Sequence, residues 1–77
     1  MTDDTVLSIW TIYDHPKDFP NTFVARRHES SRAGSQPTGD CIVSPDLERL
    51  REHLIELGLG CIPRSPYDDP NIVESWL

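Results

Sequence analysis

One stretch of this chain constrains its architecture more than any other. Leu47, Leu50, Leu54 and Leu57 recur at spacings of three and four, which on a helix puts them on a single apolar stripe. Ser44 and Pro45 ahead of them read as an N-cap followed by proline at the first helical position. Gly58 just past them supplies a left-handed stop. The predicted helix therefore runs from Pro45 to Leu57. A lone amphipathic helix needs an apolar surface to cover, and the remaining sequence must supply it as a sheet.

The strand signals are compatible with that demand. Leu7 to Tyr13 is rich in β-branched and aromatic residues and stops at Asp14-His15-Pro16, where proline enforces an extended or turn geometry. Thr22 to His28 reads as a second strand, joined to the first by a Pro- and Asp-containing loop. Asp40 to Val43 and Leu59 to Pro63 are short extended stretches, and Asn71 to Leu77 reads as a closing strand. From Glu29 to Gly39 the sequence turns to Ser, Gly, Gln and Pro, which predicts a mobile surface loop. Residues 1–6 read as a frayed N-terminus, and 7–77 as one α+β domain. Its expected form is two layers: a mainly antiparallel sheet of three to four strands with the helix on one face, in the order β-β-[β]-α-β-β, the bracketed strand being optional.

Such a fold leaves one sheet face open. By strand parity Leu7, Ile9, Thr11 and Tyr13 point one way and Trp10 and Ile12 the other. In the closing strand, Ile72 and Trp76 share a side. Both faces carry apolar bulk, so an exposed patch is expected on the uncovered one. The length of 77 residues also limits the core, since a chain this short buries only about 60% of the surface its unfolded form exposes.

Thirteen acidic residues against seven basic ones give a net charge of −6. This repels nucleic acid and anionic membrane at long range. The segment from His15 to Gln36 is the exception: Lys17, Arg26, Arg27 and Arg32 exceed Asp18 and Glu29 by two charges. If the second strand is regular, Arg26 and Arg27 point to opposite faces, and edge-strand charges that discourage aggregation are one reading of them. Nucleic-acid binding through Arg26, Arg27 and Arg32 is the competing one. No apolar run reaches bilayer-spanning length, and Met1-Thr2-Asp3-Asp4 is acidic where a secretory signal would be basic. The chain reads as cytoplasmic, with Cys41 and Cys61 as buried, reduced thiols behaving as small hydrophobes.

The densest polar segment is Tyr13-Asp14-His15-Pro16-Lys17-Asp18-Phe19-Pro20. Its Asp14-His15 pair invites a general-base reading, but adjacent residues seldom bond side chain to side chain, and no nucleophile motif accompanies them. Turn chemistry accounts for the same aspartates. His15, His28, His53, Cys41 and Cys61 show no local zinc spacing, and Asp68-Asp69 lacks the ligand alternation of a calcium loop. No metal and no cofactor is expected. Glu48, Glu52 and Glu56 recur every four residues opposite the leucines, an acidic stripe suited to solvent or to a basic partner.

The run Trp10 to Pro20, with Phe23-Val24-Ala25-Arg26-Arg27 and the ending from Arg64-Ser65-Pro66 to Trp76-Leu77, resembles a group of small bacterial proteins to which no activity is attached. The resemblance implies a small acidic bacterial protein and assigns no functional residue. Size, charge segregation and a spare apolar face point to a non-enzymatic protein-interaction module. Its partner is another protein or a second copy, with Trp10, Arg26, His28, Glu48, Glu52, Glu56 and Trp76 as candidate contacts. Two alternatives stand beside it. One is an inhibitor from a phage or mobile element, similar in size and acidity to anti-CRISPR proteins. The other is a small enzyme or ligand binder using Asp14, His15 and Asp18.

Overall fold

The leucine stripe does form a helix, two residues later than its serine start suggested. In the computed structural model, which describes residues 6–66 and 69–77, helix α1 spans Leu47–Glu56. Asp46 is the N-cap: its backbone is extended and its carboxylate accepts from the Glu48 amide at 2.9 Å. Ser44 instead forms the turn before it, accepting from the Asp46 amide and donating to the Asp46 carbonyl. An aspartate at this position also adds a negative charge at the positive end of the helix dipole.

At the other end Gly58 takes φ 83°. The Leu59 amide reaches back to the Leu54 carbonyl and the Gly58 amide to that of Ile55, which is the paired closure of a Schellman motif. Leu59 packs against the core that contains Leu54. Leu57 departs from the expected stripe, being 51% exposed. As the C-cap it falls where the helix ends.

Among the described residues five strands accompany the helix: β1 Leu7–Asp14, β2 Phe23–Ser31, β3 Gly34–Ser44, β4 Cys61–Pro63 and β5 Ile72–Trp76. They form one antiparallel sheet in the order β3-β2-β1-β5-β4. This is the expected two-layer α+β arrangement with five strands in place of three to four. The strand from Asp40 to Val43 is a full member, and the extended piece near Cys61 pairs with β5 to make the fifth. The connection from β3 through α1 to β4 carries the chain from one sheet edge to the other, and this lays the helix across one face.

The segment from Glu29 to Gly39, read from the sequence as an irregular loop, belongs to β2 and β3. The two strands turn over at Arg32 and Ala33, with Ser31 opposite Gly34, and Gly34 takes φ 121°. That conformation is open to glycine and strained for other residues. The resulting arm runs past the helix: ten helical residues span about 15 Å, whereas the eleven residues of β3 reach about 36 Å at 3.3 Å each.

Ile12, Ala25, Leu50, Leu54 and Trp76 form the core, flanked by Trp10, Phe23, Ile42, Leu47, Leu59 and Val73. The parity expected for β1 holds, with Trp10 and Ile12 toward the helix. In β5 it fails at one point. Trp76 opposes Trp10 and Glu74 opposes Ile12, but the register shifts before Ile72 meets Tyr13. This bulge moves Ile72 to the side opposite Trp76 and lets Val73 reach the core, as a one-residue slip must. The expected frayed segment, apart from the exposed Val6, lies outside the described residues, as does Asp68.

Candidate functional site

Residues on the face away from α1 follow from the register. Thr11 of β1 lies between Arg26 of β2 and Ser75 of β5, and those pair in turn with Cys41 of β3 and Ile62 of β4. One step along, Tyr13, Val24 and Val43 align, with Ile72 beside Tyr13; on the other side Ile9 adjoins His28. Among the described residues no helix covers this face. Val43 is 46% exposed, Ile62 42% and Leu7 53%, so apolar side chains meet water at both edges and at the end of β1.

Its centre is better protected. Val24 is fully buried and Thr11 nearly so, and the loop between β1 and β2 accounts for much of this. Asp18 bonds to the Arg26 guanidinium, which lies on the open face, so the loop must fold back over that face. Two turns tighten it, closed by Phe19 N–H to the Pro16 carbonyl and Thr22 N–H to the Phe19 carbonyl. The guanidinium holds the Asp18 carboxyl below its ordinary value.

Asp14 and His15 are in direct side-chain contact through Nδ1 and Oδ1, contrary to the expectation for sequence neighbours. His15 adopts φ 48°, so the pair lies outside the extended geometry in which successive side chains point to opposite faces. The imidazole also meets the edge of Phe23, with centroids 4.9 Å apart. Both groups are about half exposed, so the contact stands open to solvent. Asp18, third of the loop candidates, is engaged by Arg26.

The two tryptophans singled out from the sequence lie on the helix side. Trp76 is buried and Trp10 packs against the core, so their indoles serve the fold. Arg26 and His28 lie on the opposite, uncovered face. Glu48, Glu52 and Glu56 line the exposed side of α1, interleaved with Arg49 and His53 around a shallow depression, and Glu48 is drawn to Arg51 at 3.0 Å. The seven candidate contacts thus divide among three locations and form no single surface.

Arg26 and Arg27 do point to opposite faces, but β2 is interior to the sheet and neither arginine guards an edge. Arg27 holds the arm, donating to Asp40 at 2.8 and 2.6 Å and to Ser8 Oγ at 3.0 Å.

Glu74 was not among the sequence candidates, and it is the most constrained polar residue described. It is 7% exposed. Arg51 grips it with two hydrogen bonds, Nε to Oε2 at 3.1 Å and Nη2 to Oε1 at 2.8 Å, and Trp76 Nε1 donates to Oε2 at 2.8 Å. Burial alone would raise the carboxyl, but the Arg51 and Trp76 hydrogen bonds and the Arg51 charge outweigh it, so it titrates below its ordinary value. Cys41 and Cys61 are both exposed rather than buried, because they stand on β3 and β4, the two edge strands of the sheet. Partial desolvation and the nearby Glu74 charge still raise the Cys61 thiol, which disfavours the nucleophilic thiolate. The sequence signal was a lone glutamate among Ile72, Val73 and Trp76.

Among the described residues no three His, Cys, Asp or Glu side chains are grouped to hold a metal ion, and no helix is long and apolar enough to cross a membrane. No family model, curated protein or solved structure matches the chain.

Proposed function

We propose that this chain is a non-enzymatic protein-interaction module whose contact surface is the sheet face opposite α1. One observation carries the reading: Leu7, Val43 and Ile62 are each 42 to 53% exposed on a face that no helix covers among the described residues. These side chains stand at the two edges and at one end of that face, so a partner laid across it would cover all three and join them in one apolar contact. The net charge of −6 favours partners with a basic rim around an apolar centre, because rim charges steer encounter while apolar burial holds the complex.

The test compares affinity capture by the natural chain and by Ile62→Lys. A specific partner retained by the first and lost by the second supports the reading. Equal recovery by both, or recovery that fails only when Glu52→Lys alters the helix, would overturn the assignment to this face.

A further inference from the structure

We propose that the loop from His15 to Thr22, which joins β1 to β2, is a lid latched over the centre of the uncovered sheet face by the Asp18–Arg26 pair, and that it swings off to bare Val24 and Thr11. As a control on the contact surface the lid rests on the reading given above. As a motion it rests on geometry alone.

The face is dry at its centre and wet at its edges. Val43 and Ile62 are 46% and 42% exposed, whereas Val24 is 0% and Thr11 5% exposed, with no helix above them among the described residues. Along β2, Val24 stands between the root of the loop and Arg26, which lies two residues further on and on the same side. Asp18 and the Arg26 guanidinium therefore meet by closing over Val24. Thr11 sits directly beside Arg26 in the neighbouring strand, so the same closure shelters it.

The latch is weak and the loop behind it is self-contained. The two partners are 42% and 55% exposed, and an ion pair open to water is screened and adds little. Within the loop, Phe19 N–H donates to the Pro16 carbonyl at 2.9 Å and Thr22 N–H to the Phe19 carbonyl at 3.3 Å, while His15 N–H ties the two ends together through the Thr22 carbonyl at 3.1 Å. None of these bonds uses the sheet face, so all of them persist when Asp18 lets go. His15, at φ 48°, marks the bend at the root. Thr22 Oγ1, at the loop's end, is buried with no hydrogen-bond partner among the described residues, and water reaching it on opening offsets the loss of the ion pair. Loops that meet ligands are drawn from such lightly held segments.

The experiment measures alkylation by iodoacetamide of one thiol beneath the lid, in the full chain carrying Cys41→Ser and Cys61→Ser. Val24→Cys places that thiol, and Thr11→Cys places it at a second sheltered position, so the result does not hang on one variant folding. With Asp18 present the thiol is expected to react slowly. Asp18→Ala should speed it about two- to fivefold, the range an exposed ion pair supplies, with an unchanged circular dichroism spectrum. Added salt should act in the same direction while Asp18 is present. Ala25→Cys, equally buried but on the helix side, reports unfolding of the whole domain and should not respond. Labelling at 24 and 11 that ignores Asp18→Ala overturns the proposal, as does an acceleration shared by position 25. A partner recovered by affinity capture should bind Asp18→Ala more tightly by the same factor, because less of the closed state has to be given up. Equal binding overturns the lid's control of the face. The labelling itself involves no partner, so its failure is distinguishable from a failure of the capture test with Ile62→Lys.

Discussion

Both faces of the sheet are fastened by an arginine–carboxylate pair, and the two pairs differ in almost every physical respect. On the helix side Arg51 meets Glu74, whose side chain is 9% exposed, and Trp76 adds a third hydrogen bond. On the open side Arg26 meets Asp18, with side chains 42% and 55% exposed. The first pair ties α1 to β5 across the core, and losing one partner strands a charge in a desolvated site. The second pins a loop in water, where solvent screens the attraction. One face is built to hold the molecule together, and the other is closed only lightly by a loop.

That contrast can be tested by substitution. Leu54→Ala removes a fully buried side chain beneath the helix and should cost about 2 to 5 kcal/mol, read as a lower denaturant midpoint with an unchanged slope. Arg51→Ala should cost about 2 to 3 kcal/mol, less than the roughly 3 to 5 kcal/mol of a fully buried pair because Arg51 itself is a third exposed. In a domain of this size that is a fall of roughly 8 to 24 °C in Tm.

The same pair sets an acid limit. The Glu74 carboxyl lies below its ordinary value in the folded chain, so its contribution is fully present above the unfolded-state pKa and is lost as pH falls through the folded one. A melting series at descending pH should show this loss in the natural chain and a shallower one in Glu74→Gln. Asp18→Asn, on the open face, should give the smallest change in Tm, and added salt should erase it. A loss from Asp18→Asn as large as that from Arg51→Ala would break the comparison.

How much of this was legible in the sequence varied by region, for physical reasons. The helix was readable because its stripe needs only leucine spacing, and its stop needs only Gly58. Its start was displaced because Ser44 and Asp46 are both good caps, and which of them caps depends on where β3 releases the chain. The arm was hidden. Its composition from Glu29 to Gly39 is that of a loop, and Arg32-Ala33 lacks the Asn-Gly or Asp-Gly signature of a tight hairpin. Pairing along β1, with Leu7 opposite Ser30 and Ser8 opposite Glu29, holds those residues extended in spite of their propensity.

The candidate site was legible in part. Strand parity placed Ile9, Thr11 and Tyr13 on the face that proves uncovered, but it could not foresee the β5 bulge that moves Ile72 away from Trp76. Nor could it show that Trp10 and Trp76 are spent on the core, because β1 offers apolar residues to both sides and only the helix crossover decides which side is covered. Glu74 went unremarked because its partner Arg51 is 23 residues away, a separation no local pattern reports.

The central claim is that the face opposite α1 is spare: its exposed apolar residues do not hold the fold. Thermal melting of the double variant Leu7→Lys/Ile62→Lys tests this most directly. Surface substitutions usually lie within about 0.5 kcal/mol, which for a domain of this size is a shift of about 4 °C or less. A Tm within that margin, with an unchanged circular dichroism spectrum, is the result the account predicts. A fall comparable to that of Leu54→Ala would contradict it, because the face would then be part of the core and closed to any partner.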